Sequence, residues 1–256
     1  MDHTAIVSIP TDYAKVIKIS AAYVAKGLLL IVCVLLCMHS IGLVLESIVE
    51  YESRLTRIIV RYFDFNGEEN VPAFFSSVML LIAASLLYLI FLVNSKVDKR
   101  NGRRYWLVLS LIFVFMAIDE SAQVHEHVAE FVRPQLSSDL NGLLYWSWVL
   151  PYAAGVALLG VFFLKWVFSL PSFTRNLFLA SGCIFVGAAI GFELVEGYLY
   201  KHYGIDHIYN RIMYTFEELL EMGAIVLFIF ALLDYLASLN PVLLISNKVS
   251  EIKQAV

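Results

Sequence analysis

Residues 73–94 read AFFSSVMLLIAASLLYLIFLVN, a run without one charged side chain. The hydrocarbon core of a bilayer is about 30 Å thick and is crossed by about 20 apolar residues in an α-helix. A helix also satisfies its own backbone N–H and C=O groups where no water is at hand. The run therefore predicts a transmembrane helix. Five more of that kind surround it, at residues 21–45, 105–132, 144–168, 174–201 and 212–239.

The whole chain has the matching composition. Of its 256 residues 60% are hydrophobic and 16% charged, and the mean hydropathy is +0.77. These values exclude intrinsic disorder, and three cysteines do not make a secreted disulfide scaffold. A net charge of -4 gives no basic field for nucleic acid. No nucleotide-cofactor signature is present. The fold class expected is all-α: a polytopic membrane protein with six transmembrane helices in a single domain over residues 21–239. Residues 1–20 are too polar for a signal peptide, so the first span is read as uncleaved, and residues 240–256 form a tail.

Lys and Arg in the flanks orient the spans. One side holds Lys15, Lys18, Lys26, Lys96, Lys99, Arg100, Arg103, Arg104, Lys165, Arg175, Lys248 and Lys253. The other holds Arg54, Arg57, Arg61, Arg133, Lys201 and Arg211. The richer side is read as cytoplasmic and contains both termini, which gives a multi-pass protein of the cell inner membrane. Between the first two spans, residues 46–63 alternate Ile48, Tyr51, Leu55, Ile58, Ile59 and Tyr62 with Glu and Arg at helical spacing. That pattern predicts an amphipathic helix on the outer interface.

Function is written in the ionisable residues. Asp119, Glu120, Glu126, Glu130, Glu193, Glu196, Glu217, Glu218 and Glu221 fall on spans three, five and six, all in the outer half under this topology. On a helical wheel Glu126, Asp119, Glu130, Gln123, His127 and Glu120 follow one another, in that order, within an arc of about 120°. These make one polar face, and His125 is off it, on the far side of the helix. Glu193 and Glu196 are an i,i+3 pair, with Gly182 and Ala189 on their stripe to admit a neighbouring helix. Glu217, Glu218 and Glu221 share a face with Tyr214.

A carboxylate at the bilayer centre costs about 2.5–3.5 kcal/mol even on lenient scales, so such groups face a protein interior or a wet cavity. Crowded like charges hold protons or recruit a cation. Carboxylate with imidazole is the ligand set of di-iron and di-manganese helical bundles. The metal-ligand candidates are therefore Glu120, Glu126, His127, Glu193, Glu196, Glu217, Glu218 and Glu221. Asp119, Gln123, His125, Tyr200 and Tyr214 are candidates for the groups behind them, and iron, manganese or zinc for the ion.

Other signals have plainer readings. FDFNGEENVP, residues 63–72, alternates oxygen donors like half a calcium loop but lacks the closing Glu, and reads as a turn that starts a helix at Pro72. Cys33, Cys37 and Cys183 read as packing residues, His39 as a hydrogen-bonded histidine, and Tyr145, Trp146, Trp148 and Tyr152 as an aromatic belt.

Asp64-x-Asn66-x-Glu68-x-Asn70-x-Pro72, together with Asp119-Glu120 and His125-Glu126, resembles a group of multi-pass bacterial inner-membrane proteins without an assigned activity. The resemblance covers roughly residues 60–225 and implies about six spans. Ser121-x-x-x-His125 also resembles a motif of the seven-span zinc hydrolases of the ceramidase and adiponectin-receptor type, whose His-x-x-x-His in the last span this chain lacks.

Three functions fit these residues: an intramembrane metalloprotein acting on a lipid or other apolar substrate, by oxidation or hydrolysis; a proton or cation pathway; and a structural or partner-binding subunit. The inner halves of spans three, five and six carry only Ser110, Ser181 and Asp234 as polar groups, which disfavours a pathway. The bilayer is the one partner the sequence implies, and it leaves the oligomeric state open.

Overall fold

The computed structural model describes residues 20–48, 54–94, 102–205 and 207–239. The expected terminal segments, the basic loop at Lys96–Arg100 and the middle of the expected amphipathic helix lie outside the described residues.

Among the described residues, six helices are long and apolar enough to cross a membrane: Ala21–Glu46, Val71–Asn94, Arg103–Ala122, Val149–Val167, Ser172–Tyr203 and Ile208–Ser238. In chain order the helices are α1 (Ala21–Ile48), α2 (Arg54–Phe63), α3 (Val71–Asn94), α4 (Arg103–Ala122), α5 (Val124–Val132), α6 (Val149–Val167), α7 (Ser172–Val186), α8 (Glu193–Tyr203) and α9 (Ile208–Ser238). A π-helical turn, Gly187–Phe192, joins α7 to α8. No strand occurs among the described residues.

Packing follows side-chain size. α3 and α4 form a tight antiparallel pair, because Ala83, Ala84 and Ala117 are nearly fully buried and bring the backbones close. Hydroxyls then cross the gap: Ser77 Oγ donates to the Ala117 carbonyl and Ser110 Oγ to the Ala84 carbonyl, each at 2.8 Å. α9 is the central post, touching α1, α3, α7, α8 and the π turn. Its Met222, Ile229 and Leu232 are sealed against Met79, Leu87 and Ile90 of α3.

α6 stands further out. At its C-terminal end Trp166 stacks on Tyr105 at 5.4 Å and meets Trp106 edge-on at 4.8 Å. At its N-terminal end it is tied by two polar contacts described below. Between these ends it leaves room.

Three local features differ from the sequence pattern. Residues 46–48 continue α1, and the separate α2 begins at Arg54; Ile59 and Val60 pack on Gly42 of α1, while Ile58 and Tyr62 are exposed beside the arginines. Span three is not one helix to residue 132. Gln123 adopts a left-handed conformation (φ 53°, ψ 40°), ending α4 and starting α5 in a new direction. In span five the π turn inserts an extra residue and rotates Glu193 and Glu196 relative to α7. Gly182 does not receive a neighbouring helix, since a methyl added there would meet nothing within 4 Å. The close approach is instead at Gly197, where an added Cβ would lie 2.5 Å from the Gly142 carbonyl oxygen.

Candidate functional site

At the end of the bundle where α4 finishes and α6 begins, a chamber of about 840 Å³ opens among α4, α5, α6, α8 and α9. All nine carboxylates singled out in the sequence line it. Glu68, from the loop before α3, makes a tenth. His125 and Arg133 are the basic groups on its wall.

The loop that carries Glu68 is held at both ends. His39, 2% exposed, accepts the Phe65 N–H at Nδ1 (3.2 Å), which leaves Nε2–H to donate to Thr215 Oγ1 at 3.0 Å. Asn70 donates to the Asp64 and Gly67 carbonyls and accepts the Ala73 N–H, capping α3 ahead of Pro72. The alternating motif is therefore a loop clamp with Glu68 at its tip.

The break at Gln123 sets the rest of the rim. Without the periodic continuation, His125 turns into the chamber and its Nε2 lies 3.0 Å from Glu68 Oε1. Asp119 Oδ1 accepts the His125 backbone N–H at 2.8 Å, sits 3.5 Å from its Nδ1, and accepts the Tyr152 hydroxyl at 3.1 Å. Burial pulls the His125 imidazole down, but hydrogen bonds to Asp119 and Glu68 outweigh it and push the group up to about 10. His125 is thus a fixed cation between two carboxylates. Burial, then the Glu68 charge, raises Glu126.

Beside this rim, Trp148 Nε1 donates to Glu193 Oε1 at 3.0 Å and its ring meets that of His125 edge-on. Glu193, Glu196 and Glu217 each bring a carboxylate oxygen within 4.8 Å of the others. Glu196 and Glu217 are hydrogen-bonded to each other, and Glu196, 8% exposed, keeps Oε1 buried with no partner. Glu218 and Glu221 face Glu120 across the space. This acidic cluster has the geometry to hold a metal ion: metal–oxygen bonds of about 2.0–2.4 Å let one ion reach three such oxygens after small side-chain rotations.

The segment between α5 and α6 supplies Arg133, Tyr145, Trp146 and Trp148 to the lining. Leu140, Asn141 and Gly142 all have positive φ (48°, 62° and 101°), a bend that drops the Gly142 backbone onto Gly197 of α8. Lys201 donates to both oxygens of Asp139, which lowers that carboxyl. Arg133 lies over the Tyr145 ring at 3.9 Å.

Of the residues expected behind the cluster, Asp119, His125 and Tyr214 line the chamber. Three candidates stand elsewhere. Gln123 makes the helix break, His127 is exposed with Nδ1 2.8 Å from the Gln123 carbonyl, and Tyr200 packs on Tyr145 at 4.4 Å, outside the lining. Ser121, paired with His125 in the hydrolase resemblance, donates instead to Ser77 of α3 at 2.8 Å. Glu68, Trp148 and Tyr152 are members of the site that periodicity did not single out. The signals for the last two were a Trp and a Tyr one turn apart at the start of a span. The three cysteines are not among the lining residues and are exposed.

A family model described as a domain of unknown function (DUF8692) matches residues 27–236, which include every wall of the chamber. No curated protein and no solved structure matches the chain.

Proposed function

The chain belongs to the DUF8692 family, and we propose that it is an intramembrane metalloprotein whose acidic chamber acts on a lipid or other apolar substrate. Glu193, Glu196 and Glu217 are the ligands. The observation that carries this reading is Glu196 Oε1, a buried carboxylate oxygen without a partner at the meeting point of three carboxyl groups. A buried charged acceptor left unpaired is costly, and a cation removes that cost together with the repulsion among its neighbours.

The ligand set is all oxygen, because both His125 nitrogens are already engaged by Asp119 and Glu68. Hard oxygen ligands favour manganese or iron(II) over zinc, which prefers nitrogen and sulfur. A bound ion of that kind supplies Lewis acidity toward water or substrate oxygen, or one-electron chemistry. The chain's own residues do the rest. Trp148 holds Glu193 in place, Asp119 orients His125, and His125 offsets negative charge at the rim. In the membrane frame the chamber opens to the outer side of the inner membrane with both termini cytoplasmic, in keeping with the Lys and Arg bias of the flanks.

A proton or cation pathway draws on the same carboxyl pair. Against it, the described part of α9 beyond Glu221 presents Met222, Ile225, Ile229 and Leu232 at 3% exposure or less, with no polar step toward Asp234. Titration of the purified chain with Mn²⁺, followed by loss of the free-ion EPR signal, tests the metal reading. The parent is expected to take up about one ion per chain with micromolar affinity, and Glu196→Gln to weaken uptake about tenfold or more. Equal uptake by parent and variant overturns it.

A further inference from the structure

The chamber changes character with depth. Below Asp119 the wall from α4 is Met116, Phe115 and Ile112, and the wall from α6 is Val156 and Leu159. At a rise of about 1.5 Å per residue Phe115 lies about 6 Å further from the acidic rim than Asp119. The lower part is therefore an apolar pocket at the level of the helices' apolar middle.

That pocket opens sideways. α6 makes polar contacts with the bundle near the rim, by Tyr152 to Asp119 and Trp148 to Glu193, and aromatic ones toward its far end, by Trp166 against Tyr105 and Trp106. Between them, Gly155 lines the chamber and a methyl added there would meet nothing within 4 Å. Phe115 of α4 lines the chamber while 48% exposed. A wall residue that is also exposed marks the edge of an opening, and this one faces where lipid chains lie.

Charge restricts what can occupy it. Ten carboxyl groups line the chamber against His125 and Arg133, so acidic side chains far outnumber basic ones there. An anionic head adds one more carboxylate-like acceptor to an already crowded set, whereas an amine or hydroxyl brings donors to its many carboxyl oxygens. The volume of about 840 Å³ is that of a small-molecule pocket.

We propose that a long-chain lipid enters through the cleft between α4 and α6, laying its chain along Phe115 and Leu159 and presenting an amine or hydroxyl head to the acidic rim. This deepens the reading of the chamber as the functional site and does not depend on the metal.

The test uses the full chain in nanodiscs of zwitterionic lipid with a hexadecylamine bearing a diazirine on its chain. The label is expected to concentrate on peptides of α4 and α6. Unlabelled hexadecylamine should compete about tenfold better than hexadecanoate. Gly155→Leu, which fills the gap, should reduce labelling without changing metal content, and Phe115→Ala, which widens it, should increase labelling. Label spread over all the spans, equal competition by hexadecanoate, or labelling unaltered in both variants overturns the proposal. The two readings fail separately: a chain that binds metal but shows no selective label refutes the lipid alone, and selective label in a chain without metal refutes the metal alone.

Discussion

The two halves of α9 perform opposite tasks. Residues 208–221 bring Tyr214, Glu217, Glu218 and Glu221 to the chamber, whereas from Met222 to Leu232 the helix supplies fully buried apolar side chains to the core it shares with α3. One helix is thus a chamber wall above and a core below. Stability resides in the lower half, and it allows the upper half to hold crowded carboxyl groups that oppose folding.

The largest effect that can break this contrast is a charge in the lower half. Ile229→Asp places a carboxyl where exposure is zero. It is expected to cost about 4 kcal/mol or more, seen as loss of monodisperse protein in detergent. Next comes the rim. His125→Ala leaves Asp119 and Glu68 facing each other without their shared cation, and is expected to cost about 2 kcal/mol in thermal stability.

The same clamp carries a pH signature. With His125 at about 10 in the fold against 6.5 in the open chain, the folded protein keeps a proton that the unfolded chain has lost. Its contribution is complete below pH 6.5 and disappears as pH rises from 6.5 to about 10. The melting midpoint of the parent should fall across that window, and His125→Gln should flatten the slope.

In the upper half of α9 the sign reverses. Glu217→Gln removes one of the crowded carboxyls, so it is expected to raise stability by about 1 kcal/mol in metal-free protein while weakening metal binding. A lower midpoint in metal-free Glu217→Gln would show that the cluster supports the fold instead of opposing it. Smallest of all is Lys201→Ala in the last turn of α8. Lys201 and its partner Asp139 both reach solvent, so their attraction is screened and no measurable change in melting is expected.

What the sequence revealed and what it hid divide along physical lines. The spans were legible because about 20 uninterrupted apolar residues have few other uses. The convergence of nine carboxylates was legible because span direction sets their depth, and depth alone brings them to one level. Direction around a helix was less secure. A wheel assumes a constant turn of about 100° per residue, and the chain departs from it at Gln123 and at Gly187–Phe192. The first departure moves His125 into the site and leaves His127 exposed on α5. Gln123 gave no warning, since neither Gly nor Pro marks that bend; the compensating bond runs from the His125 N–H to Asp119, one turn before the bend. Glu68 was hidden for another reason. Its place follows from the tertiary contact of His39 with the loop, joined to the local bonds by which Asn70 closes it, and no helical periodicity encodes either. Trp148 and Tyr152 read equally well as interface aromatics until their hydrogen-bond partners are known.

The most direct test of the central claim is elemental analysis of chain purified in detergent without chelator, with Glu196→Gln purified in parallel. The chamber account expects about one equivalent of manganese or iron per parent chain and its loss in the variant, with both proteins melting cooperatively. Metal below about a tenth of an equivalent in the parent, not restored when Mn²⁺ and Fe²⁺ are added back, would contradict it and leave the cluster as a holder of protons.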